Sequence, residues 1–347
     1  MHRALRPFPS IRRRGWIASG AALVAGLGLS LLPGLCVSRG GPVTASPASG
    51  PAPVERAQSP VLALLPTDDG LPRSADGRHY PLLPPNANNL AALLASVEDA
   101  LRDPATPEND LPLLGHQQQV IYRVLAHRRS LADKVREALP ARWQPVFDHH
   151  VAARREFLAM HQGKRSLTLP SWRIIPPEPA DQLLRYYKEA AAATGIPWEV
   201  LAAVNLVETG MGRVDGISVA GAQGPMQFLP TTWAEPGIGK GDIRDPRDAI
   251  HAAARYLVRR GGPGNLSQAL WGYNNSDHYG KAVLHYAALM QDDPAAFRGL
   301  YHWEVHFASG AGDLWLPVGY LQPKPISVAA YLRHHPASAP PQGSSGY

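Results

Sequence analysis

The chain has 347 residues, 45% hydrophobic and 18% charged, which is the make-up of a globular protein with a sizeable core and extensions. Its formal charge of +6 does not point to nucleic acid, because residues 1–45 hold six arginines and no acid, and the remainder is neutral. The only cysteine, Cys36, falls in that same segment, which excludes a thiol nucleophile, a disulfide or a cysteine metal site from the folded part.

Taken in chain order, Arg12-Arg13-Arg14 precedes an uncharged stretch, Gly15 to Ser38, rich in Ala, Leu, Val and Gly. Residues 1–45 therefore read as a signal sequence or an N-terminal membrane anchor, and either means export. Residues 46–87 form a Pro-rich linker, since ten of the 35 prolines fall between Gly41 and Asn86. From 88 to 165, apolar residues such as Leu90, Leu93, Leu94, Val120, Ile121, Val124 and Leu125 recur at helical spacing. This predicts a helical accessory region of about four helices, interrupted at Asp103-Pro104, Leu111-Pro112 and Leu139-Pro140. No catalytic motif is legible there.

Leu167 to Pro179 reads as an extended connector. A domain over 170–295 follows, with a first helix from Pro179 or Ala180 that ends at Thr194-Gly195. The next begins at Pro197, runs through Leu206-Val207-Glu208, and stops near Gly210 and Gly212. Asp245-Pro246-Arg247-Asp248 is a strong helix start, and Arg259, Arg260 and Gly261-Gly262 form its end. Asn265 with Gln268 caps another helix leading to Tyr273 and Asn274. A C-terminal extension, 296–336, is predicted to hold a short hairpin and a last helix, and 337–347 a disordered tail. The expected fold class is mainly α, with short β elements near the loop after Glu208 and at the C-terminus.

The most unusual residue is Glu208, a carboxylate at the end of an apolar helix. Burial raises the pKa of such a group and lets it hold a proton near neutral pH, as a glycosidic general acid requires. Ser218-Val-Ala-Gly-Ala-Gln-Gly-Pro-Met-Gln-Phe-Leu-Pro230 follows, and Tyr273-Asn274 closes a later helix. Together with Asp245-Pro246, Ile250 and Ala254-Arg-Tyr256-Leu257, these blocks resemble the soluble lytic transglycosylase-like domain, a relative of goose-type lysozymes.

The resemblance spans about Ala180 to Leu289. It implies a lysozyme-like catalytic domain that cleaves the bond between N-acetylmuramic acid and N-acetylglucosamine in peptidoglycan strands and leaves a 1,6-anhydro end. Glu208 takes the position of the family's acid, which then serves as base. By the same resemblance Met226 and Gln227 line the groove and Ser218 assists the N-acetyl group of the muramoyl residue; Tyr273, expected to hydrogen-bond near Glu208, and Asn274, expected to fix the loop, complete the expected substrate-binding set. Pro225 departs from the family's usual apolar residue, and Asn275-Ser276 stands where Ala-Gly is frequent.

One further acid, Asp215, lies between Glu208 and Glu235. Water-activating hydrolysis generally uses two carboxylates, whereas attack by the sugar's own hydroxyl needs one, so a muramidase is the alternative reading. A catalytically inactive wall-binding or scaffold protein is the other. No cofactor and no metal are expected. His302 and His306 would share a helix face if their segment were helical, but no third ligand is evident. Trp233, Trp271, Trp303 and Trp315, and Tyr256, Tyr273 and Tyr279, are candidates to stack on sugars, with Trp271 the best placed, or else to fill the core. The implied partners are peptidoglycan strands and, if the N-terminal segment is retained, a membrane. The implied location is the bacterial cell envelope. A fragment of about 165–337 is expected to suffice for cleavage.

Overall fold

The computed structural model describes residues 59–160 and 165–341. The segment read as signal or anchor, including Cys36, lies outside these residues. Among those described, no helix is long and apolar enough to cross a membrane. The described residues are mainly α-helical, with twelve α-helices and six short strands among them.

The first four helices are α1 (Ala87–Arg102), α2 (Leu111–His127), α3 (Arg129–Ala138) and α4 (Gln144–Met160). Asn86 caps α1 by accepting from the Asn89 amide at 2.8 Å, and Leu90, Leu93, Leu94, Val97 and Leu101 form its buried face. The expected number of helices is found, but two breaks differ. Pro112 starts α2 instead of ending a helix, because its missing amide costs nothing in the first turn. The break between α2 and α3 falls at Arg128, where no proline marks it.

Strands β1 (Thr168–Leu169) and β2 (Arg173–Ile174) occupy the connector, followed by α5 (Ala180–Thr194) and α6 (Trp198–Thr209). Gly195 and Gly210 end these two helices in left-handed conformation, at φ 78° and 61°. Next come β3 (Val214–Asp215), α7 (Pro230–Trp233), α8 (Pro246–Arg259), α9 (Leu266–Asn274), α10 (Asp277–Asp292) and α11 (Ala296–Tyr301). The predicted caps form: Asp245 accepts from the Asp248 amide at 2.9 Å and Asn265 from Gln268 at 3.1 Å. The chain closes with the hairpin β4 (Val305–Ser309) and β5 (Gly312–Leu316), then β6 (Ile326–Ser327) and α12 (Val328–His334).

All three strand pairs are antiparallel: β1 with β6, β2 with β3, and β4 with β5. One hydrophobic core runs without interruption from α1 to Trp303, with both α4 and α6 packed against α10. A second, smaller core gathers Leu169, Trp172, Ile174, Phe307, Leu314 and Tyr331 beneath the strands.

Three sequence expectations change here. Residues 59–86 are not a free linker, because Tyr80 is buried and donates to the Asp313 carbonyl at 2.9 Å, and Arg78 pairs with Glu304 at 2.8 Å. The tail is ordered to residue 341, with Ala337 and Ser338 buried in a 3₁₀ turn. His302 and His306 share no helix face: His302 follows α11, while His306 lies on β4 and meets His116 at 3.0 Å.

Candidate active site

Glu208 sits in the last turn of α6, whose other residues from Val200 to Leu206 are buried. Around its carboxyl are the ends of α9 and α10. The Tyr279 hydroxyl donates to Glu208 Oε1 at 2.6 Å, and Tyr273 stacks parallel to Tyr279 with ring centroids 6.3 Å apart. Burial among these groups pushes the Glu208 carboxyl up to about 7, against the smaller downward pull of the Tyr279 hydrogen bond. The Tyr279 phenol, itself driven up chiefly by burial and then by Glu208, stays protonated and acts as a donor. Glu208 keeps partial exposure, and its Oε2 has no hydrogen-bond partner among the described residues.

Tyr279 occupies this position because of its local sequence. Asn275 turns the chain at the end of α9 in left-handed conformation, φ 45°, which asparagine tolerates better than most residues. Ser276 then caps α10, its Oγ accepting from the Tyr279 amide at 3.3 Å. The Asn-Ser departure from the family pattern thus preserves the turn and supplies the cap that holds Tyr279.

Opposite lies a tight loop, Gly224 to Gln227, closed by two backbone hydrogen bonds between Gln223 and Phe228, at 2.8 and 3.0 Å. The carbonyls of Gly224, Pro225 and Met226 are each held. The Gly224 carbonyl accepts the Gln227 amide and side-chain Nε2, both at 3.0 Å. The Pro225 carbonyl accepts Thr209 Oγ1 at 2.6 Å and Asn205 Nδ2 at 2.8 Å, and the Met226 carbonyl accepts the Tyr273 hydroxyl at 2.8 Å. Tyr187 completes the buried chain by donating to Asn205 Oδ1 at 2.6 Å. Gly224 cannot carry a side chain, since φ is 72° and a Cβ would fall 1.9 Å from the Ile243 carbonyl oxygen. Gln227 holds a left-handed backbone, φ 49°, an uncommon state kept by the surrounding bonds.

The residues expected to bind substrate thus divide. Gln227 and Ser218 are half-buried, with Gln227 folded onto its own loop and Ser218 Oγ accepting the Ala222 amide at 3.0 Å in a surface turn. Met226 is fully buried in the main core, so its side chain anchors the loop and does not line a groove. Tyr273 belongs to the site but bonds the loop and not Glu208. Asn274 is 3% exposed, with Oδ1 unpaired among the described residues.

Sequence reasoning named Tyr279 only as a candidate to stack on sugar and missed Asn205 and Thr209 as loop ties. The spacing of Asn205 and Thr209, one helical turn apart on the side facing the loop, was the available signal. Trp271 remains 50% exposed on α9, whereas Trp303 and Trp315 are core residues.

Asp215 does not stand free as a second carboxylate. Strand pairing sets it opposite Arg173, which reaches Oδ2 through Nη2 at 2.5 Å and Nε at 3.0 Å, and Arg244 Nη1 reaches Oδ1 at 3.2 Å. Among the described residues no group of three or more His, Asp or Glu side chains is placed to hold a metal ion.

These elements define a mainly helical domain in which the half-buried Glu208 carboxyl stands at the end of α6. Residues 185–287 match the family model described as Transglycosylase SLT domain, so this stretch is an SLT-type, lysozyme-like domain. The activity that goes with this domain is peptidoglycan cleavage of the lytic transglycosylase type. Comparisons with curated proteins and with solved structures each return no match.

Proposed function

We propose that the protein is a peptidoglycan lytic transglycosylase that cleaves the MurNAc–GlcNAc bond and forms 1,6-anhydro-MurNAc, with Glu208 as acid and then base. The observation that carries this reading is the combination of a Glu208 carboxyl raised to about 7 by burial and an Asp215 whose oxygens are taken by two guanidinium groups.

Protonated Glu208 donates to the glycosidic oxygen as the C1–O bond breaks, and the leaving sugar departs as an alcohol. The Glu208 carboxylate, steadied by the Tyr279 hydroxyl, then takes the proton of the muramoyl C6 hydroxyl while O6 bonds to C1. The acid is regenerated and no water is consumed. A muramidase would need a second group to activate water, a task for which Asp215 is poorly arranged.

Residues 1–45 support export, so the proposed location is the cell envelope, with the N-terminal segment either removed or retained as an anchor. Purified peptidoglycan should yield anhydro-muropeptides by mass spectrometry, and Glu208→Gln should lower release at least about a thousandfold while leaving the fold intact. Reducing ends would favour the muramidase. Binding without release would mark a scaffold protein.

A further inference from the structure

Beside the β2–β3 strand pair lies a cavity of about 290 Å³ whose lining does not include Glu208. Pro176, Pro177, Pro225 and Pro246 contribute rigid apolar wall, and Arg173, Arg244, Asp215 and Glu178 supply charge of both signs. No aromatic ring lines it, so it lacks the stacking face that sugars favour. Its volume falls at the lower end of the roughly 300–1,000 Å³ typical of ligand sites, which suits a short segment and not a disaccharide repeat.

The polar arrangement is specific. One carboxylate, Asp215, bridges two guanidinium groups, and Arg244 Nη2 also reaches Gln223 Oε1 at 3.3 Å. The two arginines carry more N–H donors than these contacts use, and both side chains are about half exposed. The cluster can therefore take a further carboxylate in forked geometry, while Glu178 offers an acceptor for an amine.

We propose that this cavity binds the peptide stem attached to the muramoyl residue, with a stem carboxylate on Arg173 and Arg244 and a stem amine toward Glu178. The proposal rests on the peptidoglycan reading for its choice of ligand. Position supports it: Gly224 and Pro225 form part of the cavity wall and belong to the loop that carries Gln227, and Asn205 lies three residues before Glu208 on α6. A peptide held there would brace the loop that Thr209 and Asn205 tie to the end of α6.

The test is direct binding, separate from cleavage. The tetrapeptide stem released from peptidoglycan by an amidase is titrated into the full chain by calorimetry, alongside the same peptide with its carboxyl groups amidated. Wild type should bind the free acid saturably, Arg173→Ala and Arg244→Ala should each weaken binding at least tenfold, and amidation should do the same. Glu208→Gln should bind as wild type does. No saturable binding, wild-type affinity in both arginine variants, or wild-type affinity for the amidated peptide would overturn the proposal. If glycan cleavage is absent or indifferent to Glu208→Gln while peptide binding holds, the enzymatic reading fails and the cavity assignment stands.

Discussion

If Glu208 is the acid of the proposed reaction, its carboxyl, raised to about 7, ties that reaction to stability through a single residue. Between its ordinary pKa and 7 the folded chain holds a proton that the unfolded chain has released. Stability from this group is therefore complete below about pH 4.5 and is lost as pH rises through 7. The difference corresponds to roughly 3 kcal/mol. Glu208→Gln should remove that dependence and make the protein more stable than wild type above pH 8, as denaturant unfolding across pH will measure. Tyr279→Phe acts in the opposite sense on the carboxylate. Its hydroxyl favours the ionised form, and a hydrogen bond to a charged group contributes about 1.5–3 kcal/mol, so its loss should raise the Glu208 pKa by about one to two units. The basic limb of the rate profile should move up accordingly, and an unmoved limb would show that Tyr279 does not govern the acid.

At the scale of elements, the N-terminus of α10 carries the site as much as α6 does. Ser276→Ala removes its cap and should destabilise the protein by about 0.5–2 kcal/mol. It should also reduce turnover, because the capped turn sets Tyr279 against Glu208, and Ser276→Asp should restore both melting temperature and rate. A merely structural cap would leave turnover per folded molecule unchanged. Such caps are legible in sequence because their chemistry is local: Asp245, Asn265, Gly195 and Gly210 all do what their residue types suggest. Glu208 was legible from its apolar helix together with the motif blocks. The Tyr279 contact was not, since it spans 71 residues and depends on how α6 and α10 pack. The burial of Met226 escaped for the same reason: a methionine in a glycine-rich loop reads as a groove residue until the core beneath it is seen. The hidden strand of the connector, β2, likewise declares itself only through distant partners, Asp215 on β3 and Leu321.

For the whole molecule, the helical region before the SLT match and the domain within it share one core, a unity that linear reading divides at the connector. Phe157 on α4 stacks on Tyr286 of α10 at 6.3 Å, His150 meets the same ring at 6.2 Å, and Trp303 donates to Gln118 of α2 at 2.8 Å. A fragment beginning at residue 165 would strip α4 from α10 and uncover Tyr286 and Trp303, side chains now almost wholly buried. At about 1.5–3 kcal/mol for each, the loss from these two alone is about 3–6 kcal/mol, which reaches the lower end of the roughly 5–15 kcal/mol that stabilises a typical domain. The catalytic match alone should therefore not fold independently. Residues 59–341 should melt cooperatively by circular dichroism, whereas residues 165–341 should show no cooperative transition and no release of muropeptides. Cooperative melting with full activity in the shorter fragment would show instead that α1 to α4 are an appendage, and α10 would then have to keep Tyr279 on Glu208 without α4 behind it.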